Sequence, residues 1–262
     1  MTERNIKLLI AYDGTDFCGW QKQNDRRTVQ ECIEKALEKL HKHPVRLTGA
    51  GRTDAGVHST GQVANFYTDI QTISPKRFAP ALNSILPQDV SILSAEETAD
   101  DFHARFGARS RTYQYRIIAG RSAFPHERRY HLCLRRRPSV VRLNTLAHLL
   151  HGEMDCSTFA SLKNQNESRY RYIYHTVFFV QGDCLIFEIT ANAFLWKMVR
   201  SIVGTLLFYE EKGASLAEFV ATVNSLDRSK AGPTAPAHGL FLQRVDYPSR
   251  VSDTGRACWT TS

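Results

Sequence analysis

The chain has 262 residues, 42% hydrophobic and 23% charged, enough for one large domain or two small ones, with the balance of a globular protein. Its formal net charge of +8 points to a polyanionic partner. The six cysteines show no CxxC or Cys/His spacing, which excludes a zinc-framed fold; the longest apolar stretch, Ala193 to Tyr209, is broken by Lys197 and Arg200, which excludes a simple membrane span.

In chain order, Asn5–Tyr12 reads as a strand with Ile6, Leu8, Ile10 and Tyr12 on one face. A turn-rich loop, Tyr12 to Gln21, follows. Thr28 is then expected to open a helix, with Glu31 as its capping-box partner and Val29, Cys32, Ile33, Ala36, Leu37 and Leu40 as the apolar stripe. A short strand near Val45–Thr48 leads into a glycine-rich loop, and a second strand, Gln62–Tyr67, leaves it. Ser74-Pro75 caps another expected helix, ending near Leu86-Pro87, and Val90–Leu93 is a further strand. The order β-α-β-β-α-β is that of a split-βαβ, ferredoxin-like unit.

The second half repeats that order. Arg111–Ile118 reads as a strand and Leu143–His151 as a helix. Tyr172–Val180 and Cys184–Thr190 form a hairpin across Gly182-Asp183. A long helix is expected over Ala193–Tyr209, a shorter one over Ser215–Ser225 with a Ser215/Glu218 box, and a last strand over Leu240–Val245. The expected fold is therefore α+β, with two ferredoxin-like halves, joined antiparallel sheets and a central cleft. The halves are assigned to residues 1–107 and 108–248, with a poorly ordered tail at 249–262. Ligands favour such inter-domain clefts.

Chemistry concentrates in Gly49-Ala50-Gly51-Arg52-Thr53-Asp54-Ala55-Gly56-Val57-His58-Ser59-Thr60-Gly61. Its glycines let the backbone pass close to a ligand, between one carboxylate, one guanidinium, one imidazole and several hydroxyls. Taken alone, the loop reads first as a glycine-rich hairpin with an Arg52–Asp54 surface pair; its wording and the blocks around it change that. Charge is also unevenly spread. His103 to Arg142 holds eleven arginines and a single acid, Glu127, suited to phosphate contact and base stacking or to a plain solvated face.

Gly51-Arg52-Thr53-Asp54-Ala55-Gly56-Val57-His58 resembles the active-site motif of the TruA family of tRNA pseudouridine synthases. Other blocks follow in the family's order: Tyr12-Asp13-Gly14-Thr15, Gly19-Trp20-Gln21, Thr28-Val29-Gln30, Leu86-Pro87-Gln88-Asp89, Phe102-His103-Ala104-Arg105-Phe106, Arg111-Thr112-Tyr113-Gln114-Tyr115, Met198-Val199-Arg200 and Ala235-Pro236-Ala237-His238-Gly239-Leu240. The resemblance spans roughly Ile6 to Tyr247. Met154, Cys156, Trp196-Lys197 and the glycine-free run before Gly213 depart from the family's pattern, which bears on tRNA contact rather than on the reacting groups.

The resemblance implies the pseudouridine synthase fold and isomerisation of uridine to pseudouridine in the anticodon stem-loop of tRNA. It makes Asp54 the catalytic carboxylate, Arg200 its partner and Tyr113 the active-site tyrosine, with Arg52 helping to take the target nucleotide out of the stack. Leu240 lines the base pocket, and Gly51, Thr53 and His58 contribute to substrate binding. For Tyr113 and Leu240, core packing is the plain alternative, and for Arg52 a simple phosphate contact. Arg105, Arg111, Arg135, Arg136 and Arg137 are candidate RNA contacts. No metal or cofactor is expected. A homodimer follows from the resemblance alone, and reduced cysteines with no signal peptide suggest the cytoplasm. A non-catalytic RNA-binding module on the same scaffold is the alternative. It needs the arginine cluster but not an Asp54–Arg200 pair.

Overall fold

The computed structural model describes residues 3–161 and 168–248. The tail expected after Pro248 lies outside the described residues. The N-terminal half holds strands β1 (Arg4–Tyr12), β2 (Thr48–Gly49), β3 (His58–Thr68) and β4 (Val90–Thr98), with helices α1 (Val29–His41) and α2 (Phe78–Asn83). The C-terminal half holds β5 (Ser110–Ala119), β6 (Leu132–Leu134), β7 (Gly152–Asp155), β8 (Tyr170–Gln181), β9 (Cys184–Ala191) and β10 (Leu240–Asp246), with α3 (Val140–His148), α4 (Met198–Lys212) and α5 (Leu216–Asn224).

All ten strands form one sheet in the order β4-β1-β3-β10-β5-β9-β8-β7, with β2 beside β3 and β6 beside β5. Each half has the same internal order, β4-β1-β3-β2 in the first and β10-β5-β9-β8 in the second, with antiparallel pairing throughout these sets. The halves meet where β10 runs parallel to β3 for only Phe241↔His58 and Leu242↔Ser59. Because β2 pairs with β3 farther along, at Thr48↔Asn65 and Gly49↔Ala64, the loop from β2 back to β3 ends at this seam.

Alternation decides what faces the core. On β1, Ile6, Leu8, Ile10 and Tyr12 are buried, and they pack with Ile33, Leu37, Phe66 and Phe78. On β5, Tyr113, Tyr115 and Ile117 are buried with α3 and α4 residues such as Leu146 and Ile202. Ala50 and Val57, at the two ends of the glycine loop, belong to this second cluster. The loop is covalently part of the first half but is packed into the core of the second.

Three helices differ from expectation; one is α3, which runs Val140–His148 rather than Leu143–His151. The Thr28/Glu31 box does not form; the Thr28 hydroxyl is buried without a partner among the described residues, and Glu31 pairs with Lys35 at 2.8 Å. The first helical amides have other acceptors, since Val29 N–H donates to the Gly19 carbonyl and Gln30 N–H to that of Trp20. The expected Ser215/Glu218 box does form at α5. Helix α4 begins at Met198 rather than Ala193, because Lys197 takes a left-handed conformation with φ of 61° that interrupts the helix. Arg200 therefore sits in the first turn. Among the described residues no helix is long and apolar enough to cross a membrane.

Candidate active site

The glycine loop is held from beneath by the Tyr12–Gln21 segment. Trp20 N–H donates to the Thr53 carbonyl at 3.1 Å and Gly56 N–H to the Phe17 carbonyl at 3.3 Å. The Tyr12 and Thr53 hydroxyls lie 2.8 Å apart. Gly19 has a φ of 92°, and a Cβ there would stand 2.6 Å from the Thr53 carbonyl oxygen. Only glycine allows so close an approach in that conformation.

Asp54 is presented upward from this support. Arg200, 146 residues away, donates from Nη1 to Asp54 Oδ2 at 3.0 Å. The two side chains retain 15% and 19% exposure, so the pair is largely withdrawn from water yet still open on one side. Arg200 is itself fixed: its Nε donates to the Ala235 carbonyl at 2.8 Å, and Ala235 N–H donates back to the Arg200 carbonyl at 3.0 Å. A cation in the first turn opposes the helix dipole, and the Asp54 carboxylate offsets it.

Tyr113 comes to the site through strand register. Cross-strand partners share a face, and Tyr12 pairs with Ser59, Ser59 with Leu242, and Leu242 with Tyr113. The Tyr113 ring meets Phe194 edge-on at 5.1 Å. Burial pushes its phenol far above the usual value, reinforced by the negative charge of Asp54. It is a neutral phenol at any ordinary pH.

The other residues singled out in the sequence are not all in one place. Arg52 is exposed and has no ion pair or hydrogen bond among the described residues. Gly51 borders open space, and its carbonyl accepts from Gln62 Nε2 at 2.9 Å. Thr53 is buried through its Tyr12 contact. Leu240 is buried opposite Tyr115 in the core.

His58 is also buried, stacked on Phe241 at 4.6 Å. Gly14 N–H donates to its Nδ1 at 3.0 Å and its Nε2 lies 3.2 Å from the His238 carbonyl. An amide can only donate and a carbonyl only accept, so the ring is neutral with its proton on Nε2. Asp13 Oδ1, 3.1 Å from Nδ1, therefore faces a lone pair and is a counter-ion only to the protonated ring. Burial pushes the imidazole below its usual value, against the pull of Asp13.

The arginines divide by partner. Arg111 donates to four main-chain carbonyls, those of Ala50, Arg105, Ala108 and Asn192, at 2.8–3.1 Å. It ties the start of the glycine loop to the second half. Arg136 holds the Glu210 carboxylate bidentately. Burial works against that carboxylate, but Arg136 and the Ser139 N–H keep it below the usual range. Arg105, Arg135 and Arg137 are exposed and without an ion pair among the described residues.

Three contacts at the site lie outside the sequence-based set: the Ala235 clamp on Arg200, the Phe194 ring on Tyr113, and the Tyr12–Thr53 bond. Tyr12 and Ala235 stood in recognisable blocks; Phe194 carries no local signal of its own. Among the described residues no three His, Cys, Asp or Glu side chains are grouped to share a metal ion.

Comparison with known proteins identifies the family. A family model described as tRNA pseudouridine synthase matches residues 8–107 and 146–248. The chain is 53% identical over 251 residues to tRNA pseudouridine synthase A of Treponema denticola, covering 94% of each. It is 46% identical over 275 aligned positions to the Treponema pallidum protein of that name, covering 98% of each. With that of Borrelia duttonii the identity is 41% over 244 residues, 93% of this chain and 99% of the other. A carboxylate held by an arginine from the other half is thus set in a chain that belongs to the tRNA pseudouridine synthase family.

Proposed function

We propose that this chain isomerises uridine to pseudouridine in the anticodon stem-loop of tRNA, with Asp54 as the nucleophile. The observation that carries the reading is the 3.0 Å Arg200–Asp54 pair formed across the two halves. The reaction breaks a glycosidic C–N bond and makes a C–C bond, so a group must hold one fragment while the other turns. A carboxylate does this by a transient covalent bond, to the ribose anomeric carbon or to the pyrimidine ring. Arg200 fixes the carboxylate by its 3.0 Å hydrogen bond and aims it at the open side. Tyr113 stacks on the uracil and holds or moves a proton at its phenol oxygen. Arg52, exposed on the loop, enters the stack that the uridine leaves. Leu240, Gly51 and Thr53 shape the pocket, while His58, in register with Phe241 and Gln114 on the other face of the sheet, holds the start of β3 from there.

An RNA-binding module without chemistry has no use for this pair. The polyanion is tRNA, met by the exposed arginines Arg105, Arg135 and Arg137 as phosphate contacts. The enzyme works as a homodimer in the cytoplasm, a reading supported by the family and by the free thiols among the described residues.

The test is Asp54→Asn, nearly isosteric, measured by single-turnover pseudouridine formation and filter binding of the same tRNA. Isomerisation is expected to vanish while most binding persists, since phosphate contacts lie elsewhere. Turnover near the wild-type rate would remove Asp54 as nucleophile.

A further inference from the structure

Gln114 and Arg116 alternate with Tyr113 and Tyr115 along β5, so they project from the sheet face opposite the Asp54 site. There a cavity of about 270 Å³ is lined by Gln114, Arg116, His131, Gln181, Cys184 and Ile186. That is roughly nine times the volume of a water in the liquid. Eight arginines among the described residues are partly buried. Seven of them donate to a main-chain carbonyl or a carboxylate. Arg116 has no oxygen acceptor among the described residues.

What Arg116 does have is Phe241, whose ring lies 3.8 Å from its guanidinium carbon. Stacking occupies the flat face of the group and leaves its N–H edge open to the cavity. The nearby carboxylates are already engaged. Glu188 accepts from Gln114 at 2.9 Å, and Arg121 holds Glu127 at 2.7 Å and Asp183 at 3.3 Å. His131 donates from Nδ1 to the Glu127 carbonyl at 2.9 Å, so its Nε2 carries the lone pair and accepts only from a protonated phosphate oxygen. Burial lowers the Arg116 value, as expected for a cation with no counter-charge. A partly desolvated guanidinium with no protein acceptor offers its open edge to an anion.

We propose that this cavity is a phosphate-binding site anchored by Arg116, separate from the Asp54 cleft. The phosphate belongs either to the RNA backbone or to a free phosphate. The first source rests on the tRNA reading given above; the second does not. Bidentate contact with the open guanidinium edge is the recognition chemistry in both cases.

The test uses the full chain and two variants. Arg116→Met keeps an apolar stem against Phe241 and removes the charge. Arg116→Lys keeps the charge without the fork and guards against misfolding of the first. Inorganic phosphate, titrated in thermal unfolding, should raise the melting temperature of wild type saturably and leave Arg116→Met unmoved. Arg116→Lys should need roughly tenfold more phosphate for the same shift. In parallel, filter binding of tRNA across salt concentrations distinguishes the sources. A log–log slope shallower by about 0.7–0.9 in Arg116→Met assigns the phosphate to RNA. An equal slope, with protection by inorganic phosphate retained only in wild type, assigns it to a free anion. The proposal is overturned if phosphate protects wild type and Arg116→Met alike, or if neither measurement separates them. It is equally overturned if Arg116→Met alters the oligomeric state in light scattering, since the cavity is then part of an interface between copies.

Discussion

Tyr113 is held by Phe194 and by its strand, and its hydroxyl makes no hydrogen bond among the described residues. Removing that oxygen therefore leaves no buried partner behind. Tyr113→Phe should unfold within about 0.5 kcal/mol of wild type, while turnover falls by roughly 10²–10⁴ if the phenol moves a proton. Single-turnover kinetics beside a denaturant titration checks both; equal turnover leaves the tyrosine only a stacking role. Residues differ in how far their sequence reveals them. Asp54 is legible from its company, since few structural loops crowd Arg, Thr and His around one carboxylate. Its pairing with Arg200 is not, because no periodicity links positions 146 apart. The arginine-rich run misleads in another way. Composition counts charges without showing which are spent, and Arg111 and Arg136 are bound to carbonyls and to Glu210.

Among the elements, the turn into β3 depends on one protonation state. His58 joins Gly14 of the supporting loop to His238 before β10, and it does so only as the neutral ring. A histidine whose folded value is depressed gives stability that is complete above its unfolded value, near 6.5, and is lost as pH falls from there toward the folded value. Unfolding free energy of wild type should thus fall as pH drops below about 6.5, by up to about 1.4 kcal/mol per pH unit for this group. His58→Gln should be less stable at pH 7.5 and lose less on acidification. His151 is also pushed down by burial, so the informative quantity is the difference between the two proteins. If the two curves run parallel from pH 7.5 to 5, His58 does not titrate as described. Element boundaries were readable where period-2 or period-3.6 patterns run long, as in β1, β5 and α1. They failed where tertiary contacts decide. The start of α1 is capped by carbonyls from Gly19 and Trp20 instead of by Thr28. Strands β6 and β7, with three and four residues, are too short to show any period.

At the scale of the whole molecule, a doubled β-α-β-β-α-β order is visible in the sequence, but the seam that joins the copies is not, since it consists of two residue pairs. Side chains reinforce it: Ser59 Oγ donates to the Leu242 carbonyl at 2.9 Å and Thr60 Oγ1 to Gln243 Oε1 at 2.6 Å. Asp54 stands on one side and Arg200 on the other, so the seam sets the geometry of their ion pair. Gly61 tests this. A Cβ at Gly61 would lie 2.0 Å from the Gln243 carbonyl oxygen and 2.8 Å from its carbon. Main chain cannot step aside as a flexible side chain can, so Gly61→Ala must part β3 from β10. The expected cost is about 3 kcal/mol or more, with turnover reduced even in molecules that remain folded, because a shift of about 1 Å at the reacting groups is enough to cost roughly a hundredfold. Gly51→Ala is the control: it too adds a methyl to the loop region, but nothing lies within 4 Å of that Cβ, so stability should hold. Thermal unfolding and single-turnover kinetics of both variants decide the matter. Wild-type stability and turnover in Gly61→Ala would mean that the seam yields freely and does not position Asp54 against Arg200.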